Sequence, residues 1–464
     1  MMAAITAARC GKSVLLLEKN DRLGRKLAIT GKGRCNVTNN CEIDELMSNI
    51  PRNAKFLYGA MTKFPPSETI AFFEQLGVPL KTERGKRVFP VSDKAGDIVA
   101  ALEKELRRLG VKILRENARS LVLENGVCKG VRTAGGDFLA NSVILATGGK
   151  SYPKTGSDGS GYALARQAGH SIIEPTPSLV PLVTEEKWVK SACGLTLKNT
   201  AVKLLDGEKT IYEDFGEVAF TADGLGGATI LSASAHIPEM RQKRYSVALD
   251  LKPALSEQKL DARLLREFSE NRGKPLREVL RKLLPAELVG VFADLAGISP
   301  EKKVDEITKI ERKTLSNLLK NLRLHISGFR PIDEAIITRG GVKQAKFPRK
   351  QWKAVSRKAC FSREKSLTQT PTRAALTCKS PSQRRKSRGR TCENSWICTK
   401  MRRGICRIKQ TNCVKTSEIS PKTMESRVAK GLFFAGEIID ADAYTGGFNL
   451  QIAFATAKIA GENA

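Results

Sequence analysis

The sequence lacks the features that mark membrane and secreted proteins. No run of about 18 apolar residues occurs in its 464 residues, so we expect no membrane-spanning helix and no membrane partner. Its amino-terminal stretch has no basic start followed by an apolar core and a small-residue cleavage site, which excludes an ordinary secretory signal peptide. The cysteine count of 11 is odd, which favours a reducing compartment. We therefore expect a cytoplasmic protein.

Cysteine and histidine show no arrangement for metal binding or disulfide exchange. Six cysteines lie within residues 344–415, at spacings of 18, 14, 6, 8 and 7, without a C-x-x-C pair or a histidine among them. This pattern argues against a zinc site. The other five cysteines form no pair suited to a disulfide relay. We expect a structural role for each of the three histidines, His170, His236 and His325, and name no catalytic acid.

Positive charge is abundant and unevenly distributed. The chain has 79 Lys+Arg and 48 Asp+Glu, a net charge of +31, which by itself favours an anionic partner such as nucleic acid. Residues 344–415 hold 21 Lys+Arg and 2 Asp+Glu and so contribute +19 of this charge. They show no sustained hydrophobic period, which predicts a disordered basic insertion or an accident at the level of the gene. We therefore expect no nucleic-acid partner, except non-specifically through 344–415.

The first twenty residues, MMAAITAARCGKSVLLLEKN, have the pattern of the second half of a βαβ unit. A helix rich in alanine leads to Gly11, and an unbroken apolar run at 14–17 is typical of a strand buried on both faces. Glu18 stands at the end of that strand, where an acid hydrogen-bonds a ribose in dinucleotide-binding folds. No G-x-G-x-x-G precedes the helix. A surface helix and a core strand with a solvated Glu18 explain the same pattern equally well.

The remaining chain alternates between two kinds of pattern. Buried, parallel-type strands followed by glycine turns lie towards both ends, as at 143–149 and in GLFFAGEIIDADAYTGGFNLQIAFATAKIAG. From about residue 182 the strands become alternating, and 256–321 are charged with a helical period. The sequence therefore predicts an α/β dinucleotide-binding domain that is split by an inserted domain.

Two short motifs could contact a phosphate-containing cofactor. Gly446 and Gly447 directly precede the last predicted helix, where the positive helix end can face an anion. Glu437, after Gly436, follows an apolar strand and can accept hydrogen bonds from a ribityl chain. A tight loop closing the last helix explains the glycines without any ligand.

The most distinctive stretch is GRKLAITGKGRCNVTN. Arg25, Lys26 and Arg34 offer cations to a diphosphate, and Asn36 offers a neutral polar contact. A solvated basic loop is the alternative explanation.

Four stretches together resemble the BaiN-like (YhiN-type) bacterial flavoproteins. They are GRKLAITGKGRCNVTN, VILATGGKSYPKTGSDGSGYALARQAGH, FRPIDEAIITRGGV and GLFFAGEIIDADAYTGGFNLQIAFATA, in the family's order. The resemblance covers roughly 1–343 and 416–464. It implies a glutathione-reductase-type, Rossmann-like FAD-binding domain with an inserted β-barrel-like and helical domain. Because the family begins with a strand and a glycine-rich loop ahead of the helix that opens this chain, we expect the first strand to be absent through truncation.

The resemblance also implies domain boundaries and residue roles. The FAD-binding domain would comprise 1–185, 331–343 and 416–464, the inserted domain 186–330, and the basic insertion 344–415. Glu18 would contact the adenosine ribose, Arg119 the adenine through its backbone, and Gly149 the flavin side. The implied cofactor-binding residues are Glu18, Arg25, Lys26, Arg34, Asn36, Arg119, Gly149, Gly436, Glu437, Gly446, Gly447, Asn449 and Leu450.

The implied activity is that of an FAD-dependent oxidoreductase. It would transfer hydride between NAD(P)H and a small organic substrate, with a C=C bond as the candidate acceptor. Two alternatives stay open: a basic RNA-associated flavoprotein, and a truncated, non-functional paralogue that binds no flavin.

Overall fold

The structure, a computed structural model, describes residues 1–238, 240, 245–343 and 418–464. The predicted basic insertion at 344–415 lies outside the described residues. The helices are α1 (Met2–Arg9), α2 (Arg25–Ile29), α3 (Ile43–Ser48), α4 (Ala54–Lys63), α5 (Pro66–Gln75), α6 (Ala95–Arg108), α7 (Ser160–Gln167), α8 (Ala228–Ser234), α9 (Glu257–Glu270), α10 (Leu276–Leu280), α11 (Ala286–Ala296), α12 (Lys309–Lys320) and α13 (Phe448–Asn463).

The strands are short in the first part of the chain and longer in the middle. They are β1 (Leu15–Leu17), β2 (Thr38–Asn39), β3 (Leu80–Glu83), β4 (Arg87–Pro90), β5 (Lys112–Leu114), β6 (Ser120–Glu124), β7 (Val127–Arg132), β8 (Asp137–Leu139), β9 (Val143–Leu145), β10 (Ile172–Ser178), β11 (Leu182–Thr184), β12 (Thr196–Asp206), β13 (Lys209–Phe220), β14 (Gly224–Gly226), β15 (Tyr245–Asp250), β16 (Leu322–Phe329), β17 (Ile337–Val342) and β18 (Leu432–Phe434).

Two pairs of parallel strands form the frame of the α/β part. Strand β1 pairs with β5, placing Leu15 opposite Lys112, and β9 pairs with β18, placing Val143 opposite Leu432. Within the described residues the two pairs belong to separate sheets. Since the carboxyl ends of parallel strands are followed by the loops that bind ligands in α/β folds, these strands determine where the site forms.

Helices α1 and α13 cross at close range in the core of this part. Six of the eight residues of α1 and ten of the sixteen of α13 are buried, as expected for helices that are apolar nearly all round. A Cβ on Gly461 would lie 2.5 Å from the carbonyl oxygen of Ala3. A side chain at Gly461 would therefore force the two helices apart.

The middle of the chain forms a closed six-stranded barrel in the order β11-β14-β13-β12-β15-β16. Strands β12 and β13 form a hairpin in which Asp206 lies opposite Lys209. Val202 and Leu204 of β12 point into the barrel and are fully buried. Helices α9 to α12 pack against the barrel and add Leu264 and Phe292 to the same core. The predicted α/β part with an inserted β-barrel-like and helical part is confirmed.

The buried apolar residues fall into two large cores. One draws its members from 2–168, Val342 and 419–460, and the other from 182–326. The predicted domain boundaries at 185/186 and 330/331 lie near the limits of the second core, and the division into domains stays a prediction. None of the helices in the described residues is both long enough and apolar enough to cross a bilayer.

Candidate functional site

A polar cluster joins the loop after β1 to the turns that follow β9 and β18. Lys26 Nζ lies 2.5 Å from Glu437 Oε2 and 2.8 Å from Ser151 Oγ. Glu437 Oε1 accepts hydrogen bonds from the Ser151 hydroxyl at 3.0 Å and from the backbone N–H of Thr338 at 2.8 Å. The side chains of Lys26 and Glu437 are 25% and 14% exposed. The ion pair is therefore partly shielded from water and tied into a network.

Two of the predicted glycines allow the backbone to pack directly against this cluster, because they have no side chain. A Cβ on Gly149 would lie 2.3 Å from Thr338 Oγ1 and 2.7 Å from Glu437 Oε1. Gly436 has φ +75° and begins the single turn that carries Glu437, and its N–H donates to Thr456 Oγ1 at 3.0 Å. Only glycine permits this close packing of backbone against the cluster.

The N-terminus of α13 forms the second half of the candidate site. Gly447 is the residue before the helix, has φ +101°, and would place a Cβ 2.4 Å from the carbonyl group of Thr38. The side-chain oxygens of Asn36 and Asn39 are buried and have no hydrogen-bond partner in the described structure. The Asn39 amide donates to the carbonyl of Gly446 at 3.1 Å. Two hydrogen-bond acceptors without a donor thus lie beside the positive N-terminus of the helix. A ligand with N–H or O–H groups could donate hydrogen bonds to both.

Two predicted residues of α13 have structural contacts. Asn449 Oδ1 accepts the N–H of Ala443 at 2.8 Å, and its amide donates back to the carbonyl of Ala443 at 2.8 Å. Leu450 is partly buried and packs against the first core. Asn449 therefore fixes the loop that leads into the helix, and the cofactor contacts of both residues stay predictions.

At the predicted adenosine end, Glu18 follows β1 as expected. Its backbone N–H donates to the carbonyl of Leu114 at 2.9 Å, and its carboxylate accepts two hydrogen bonds from Asn20, at 2.9 and 2.7 Å. Arg119 is exposed, and its backbone N–H already donates to the carbonyl of Arg132 at 2.8 Å. The ribose and adenine contacts of Glu18 and Arg119 stay predictions.

The other two predicted cations, like Lys26, have carboxylate partners. Arg25 Nη1 lies 3.4 Å from Asp21 Oδ1. Arg34 pairs with Glu83 at 2.5 Å and with Asp93 at 2.6 Å. Hydrogen bonding to Glu83, then to Asp93, raises the pKa of Arg34. Its charge is therefore already compensated, and its contact with a diphosphate stays a prediction that would require these pairs to open.

Arg34 also lies over an aromatic ring. Its guanidinium carbon is 4.1 Å from the centroid of the Phe89 ring. This contact holds the side chain against the β3–β4 hairpin.

Sequence reasoning missed a buried hydrogen-bond network between β2 and α13. Gln451 Oε1 accepts from the hydroxyls of Thr38 at 2.7 Å and Thr69 at 2.8 Å, and its amide donates to the carbonyl of Phe64 at 2.7 Å. A single glutamine in a helix of small residues gives no periodic signal, so nothing in the sequence indicated this role. The network fixes β2, which carries Asn39, against the start of α13.

Sequence reasoning also missed a charged cluster near the junction of the α/β part and the barrel. Arg52 hydrogen-bonds Asp442 and lies 3.8 Å from Asp440. The Ser178 hydroxyl donates to Asp442 at 2.8 Å, and the Gly340 N–H donates to Asp440 at 3.1 Å. Burial raises the pKa of Asp440. The cluster fixes the loop that ends at Gly446 and Gly447.

The histidines lie in three different environments. His170 is buried, with Nε2 2.7 Å from Ser426 Oγ, and His325 Nδ1 lies 2.9 Å from Glu186 Oε1. His236 Nε2 lies 2.6 Å from the hydroxyl of Tyr444. The described residues contain no group of three or more His, Cys, Asp or Glu side chains placed to hold a metal ion.

The α/β part has parallel strand pairs, glycines in the turns after these strands, and a long helix that directly follows a glycine. These features define a Rossmann-type FAD-binding domain, here combined with a six-stranded barrel. Residues 1–463 match the HI0933-like protein Rossmann domain family, and the chain belongs to this family. The predicted relationship to YhiN-type flavoproteins is thereby confirmed.

The similarity to known proteins extends over nearly the whole chain. A 3-dehydro-bile acid delta(4,6)-reductase of Clostridium scindens is 29% identical over 471 residues, which cover 100% of this chain and 96% of the relative. A ribosomal RNA dihydrouridine synthase of Haemophilus influenzae is 24% identical over 463 residues, covering 98% and 94%.

Solved structures that are similar include the open conformation of a flavocytochrome c3 fumarate reductase, with a TM-score of 0.41 and 15% identity over 100% of this chain and 75% of that one. Another is 3-ketosteroid-delta4-(5alpha)-dehydrogenase from Rhodococcus jostii RHA1, with a TM-score of 0.39 and 13% identity over 100% and 93%.

Proposed function

We propose that the protein is an FAD-dependent oxidoreductase that uses NAD(P)H to reduce a C=C bond conjugated to a carbonyl group of a small organic substrate. The observation that carries the cofactor assignment is the N-terminus of α13, where Gly447 has no room for a side chain and the buried oxygens of Asn36 and Asn39 lack donors. An isoalloxazine ring offers an N–H donor to such acceptors. Its reduced form is anionic, and a helix N-terminus stabilises that charge.

The polar cluster supports the rest of the cofactor. Glu437 can accept hydrogen bonds from ribityl hydroxyls, and Lys26 can place its charge near a diphosphate. Gly149 leaves the backbone accessible beside both side chains. The residues present therefore fit FAD, which supplies hydride chemistry when bound. The protein would orient the reactants, exclude water and hold charge.

The names of the relatives support the choice of substrate class. A delta(4,6)-reductase and a dihydrouridine synthase are both named for reduction of a C=C bond, in a bile acid and in a pyrimidine of ribosomal RNA. The chemistry common to both is hydride addition to an alkene made electron-poor by a carbonyl group. We infer that this chain acts on an alkene of the same kind.

Reconstitution of the full chain tests the proposal. Purified protein is incubated with FAD, desalted, and assayed for bound flavin, then supplied with NADH or NADPH and a 3-oxo-4-ene bile acid under argon. We expect flavin near one per chain and nicotinamide oxidation that depends on the bile acid. Absence of bound flavin would contradict the cofactor assignment.

The same assay separates the rival substrate classes. A uridine-containing ribosomal RNA fragment replaces the bile acid in a parallel reaction. Turnover of the RNA alone would favour the RNA-associated alternative. Bound flavin that reduces neither alkene would contradict the C=C assignment.

A further inference from the structure

Three aromatic side chains from three elements meet near the N-terminus of α13. They are Tyr212 of β13, His236 just after α8, and Tyr444 in the loop that precedes the helix. The rings of Tyr212 and His236 are stacked, with centroids 4.5 Å apart and planes 28° apart. Those of His236 and Tyr444 are 5.6 Å apart at 32°. All three residues are partly exposed.

The backbone holds Tyr444 close to the candidate flavin end. Its N–H donates to the carbonyl of Asn49 at 3.0 Å, and its own carbonyl accepts from the amide of Asn449 at 3.3 Å. Only Thr445 separates it from Gly446. The backbone of Tyr444 is therefore anchored at the same helix end that we assign to the flavin.

The two tyrosine hydroxyls have different partners. The Tyr212 hydroxyl donates to Asp214 Oδ2 at 2.7 Å. The Tyr444 hydroxyl is 2.6 Å from His236 Nε2, which links the α/β part to a residue of the barrel part. A hydroxyl bonded to an imidazole can give up a proton and receive another through the ring, whereas one bonded to a carboxylate cannot.

The surroundings keep this pair neutral. Burial, followed by the nearby Arg339, lowers the pKa of His236, while Asp442 opposes that change. Burial, followed by the charges of Asp214 and Asp442, raises the pKa of Tyr444. At neutral pH the hydroxyl therefore keeps its proton and the imidazole carries no charge.

We propose, on the basis of the proposed function, that Tyr444 is the catalytic proton donor to the alkene and that His236 is the positioning residue that renews its proton. The unsaturated carbonyl compound would lie against the ring of Tyr444. The stacked ring of Tyr212 would border the same surface.

The proposed reduction of the alkene conserves atoms and charge. FAD, when bound and reduced, would supply the hydride for the β-carbon, and the π electrons of the alkene would move towards the α-carbon. There a C–H bond forms as the O–H bond of Tyr444 breaks. The phenolate oxygen then takes the Nε2 proton of His236 while Nδ1 takes a proton from solvent. The imidazole stays neutral as its other tautomer, and loss of the Nδ1 proton to solvent with protonation of Nε2 from solvent restores the first tautomer before the next turnover. The net reaction uses one hydride and one proton.

Tyr444→Phe tests the donor, because it removes the hydroxyl and keeps the ring. We expect normal flavin content and normal flavin reduction by NAD(P)H. Flavin reoxidation by a 3-oxo-4-ene bile acid should slow by about 10²–10⁴-fold, the usual contribution of a positioned acid. Reoxidation by ferricyanide, which forms no C–H bond, should be unchanged. Tyr58→Phe is the matched control and should change the bile-acid rate by less than about fivefold, since Tyr58 is exposed on helix α4 and has no contact with the three rings.

Isotope labelling gives a readout that a purely structural contact would not affect. In D2O the normal protein should place deuterium at the α-carbon in one configuration. Tyr444→Phe should give both configurations, because solvent then delivers the proton from either face. His236→Gln keeps a hydrogen-bonding group next to Tyr444 but cannot relay protons, so we expect a lower rate with the single configuration retained.

Nuclear magnetic resonance tests the charge of His236 without turnover. The chain has three histidines, so the C2–H signal of His236 can be assigned by its loss in His236→Gln. Because burial and then Arg339 lower the pKa of the ring, this signal should titrate below the ordinary histidine value, and a pKa above that value would contradict a relay through neutral tautomers. The charged and titratable groups around the ring are Arg339, Asp442, Tyr212, Tyr444 and Asp214.

The failures of the two proposals can be told apart. If the normal protein reduces the bile acid and Tyr444→Phe reduces it at the same rate, the inference is wrong and the proposed function stands. Equal slowing of ferricyanide and bile-acid reoxidation would show a structural role and overturn the inference as well. If the normal protein binds flavin and reduces no alkene, the proposed function fails and this inference fails with it.

Discussion

Lys26 and Glu437 form an ion pair with 2.5 Å between Nζ and Oε2, although 411 positions separate them in the chain. The pair brings the basic loop after β1 to the Gly-Glu turn after β18. Ser151 and Thr338 complete the network around the carboxylate. This contact is the centre of the candidate cofactor site, and it yields the first prediction.

Glu437→Gln should weaken FAD binding by about one to two decades in Kd. A charge-assisted hydrogen bond contributes about 1.5–3 kcal/mol, and about 1.4 kcal/mol corresponds to a decade. Fluorescence titration of the cofactor-free protein with FAD measures the change. Lys26→Met should have a similar effect, and the double variant less than the sum, because the two residues share one network.

Lys32→Met provides the control for charge alone. Lys32 is exposed and lies in the same basic loop. Its replacement should leave the FAD affinity within about twofold. An equal loss of affinity in Lys32→Met and Lys26→Met would show that the loop acts only through its net charge.

Gly447→Ala should destabilise the protein and impair flavin binding. The residue has φ +101°, and its Cβ would lie 2.4 Å from the carbonyl group of Thr38. Backbone strain of this kind costs about 1–3 kcal/mol. Urea unfolding of the cofactor-free protein measures the free energy of unfolding directly.

Gly290→Ala is the matched control, because this glycine lies inside helix α11 with open space around its Cβ position. It should stabilise the protein by about 0.4–1 kcal/mol through the lower entropy of the unfolded chain. A stability of Gly447→Ala equal to that of the normal protein would contradict the close approach of α13 to β2.

Protonation of Glu105 should destabilise the protein at low pH. Hydrogen bonds from Arg108 and then Arg9 lower the pKa of this carboxyl from 4.5 to about 2. A lowered pKa means that the stabilisation is present above pH 4.5 and is lost as the pH falls towards about 2. Because Arg9 and Arg108 are 38% and 65% exposed, we expect a contribution of about 1–2 kcal/mol after solvent screening.

Thermal unfolding at pH 6 and at pH 2.5 measures this contribution. Glu105→Gln should be less stable than the normal protein at the higher pH and nearly equal at the lower. Glu103→Gln, on the same helix and 3.6 Å from Arg107, should show little pH-dependent difference. A constant difference between Glu105→Gln and the normal protein at both pH values would refute this assignment.

Phe292→Ala should show whether the two cores unfold independently. Phe292 is fully buried in the core of the barrel and its helices, so its truncation should cost about 3–5 kcal/mol. If 186–330 is a domain, calorimetry should show one transition lowered and flavin binding retained. Phe73→Ala, fully buried in the other core, should lower the other transition and reduce flavin binding. A single transition that falls equally in both variants would contradict the predicted division.

The sequence by itself determined the features whose cause is local. The buried run of β9, the alternating strands of the barrel and the two glycines before α13 follow from residue periodicity and backbone preference, and the structure has them where the sequence indicated. The sequence also indicated that Gly149 and Glu437 follow strands, and the structure has them after β9 and β18. Their spacing along the chain is enough because a strand end and the turn after it are neighbours in sequence.

The tertiary structure alone decided which side chains meet. Nothing near Arg34 in the sequence indicated that Glu83 and Asp93 would compensate its charge. Likewise, His236 was expected to be structural, and its contact with Tyr444 joins residues 208 positions apart. Such pairs depend on how separate segments pack, since only burial in a common core brings them within hydrogen-bonding distance. The contacts of His236 with Tyr444 and Tyr212 therefore follow from the packing of α13, β13 and α8 and not from any motif.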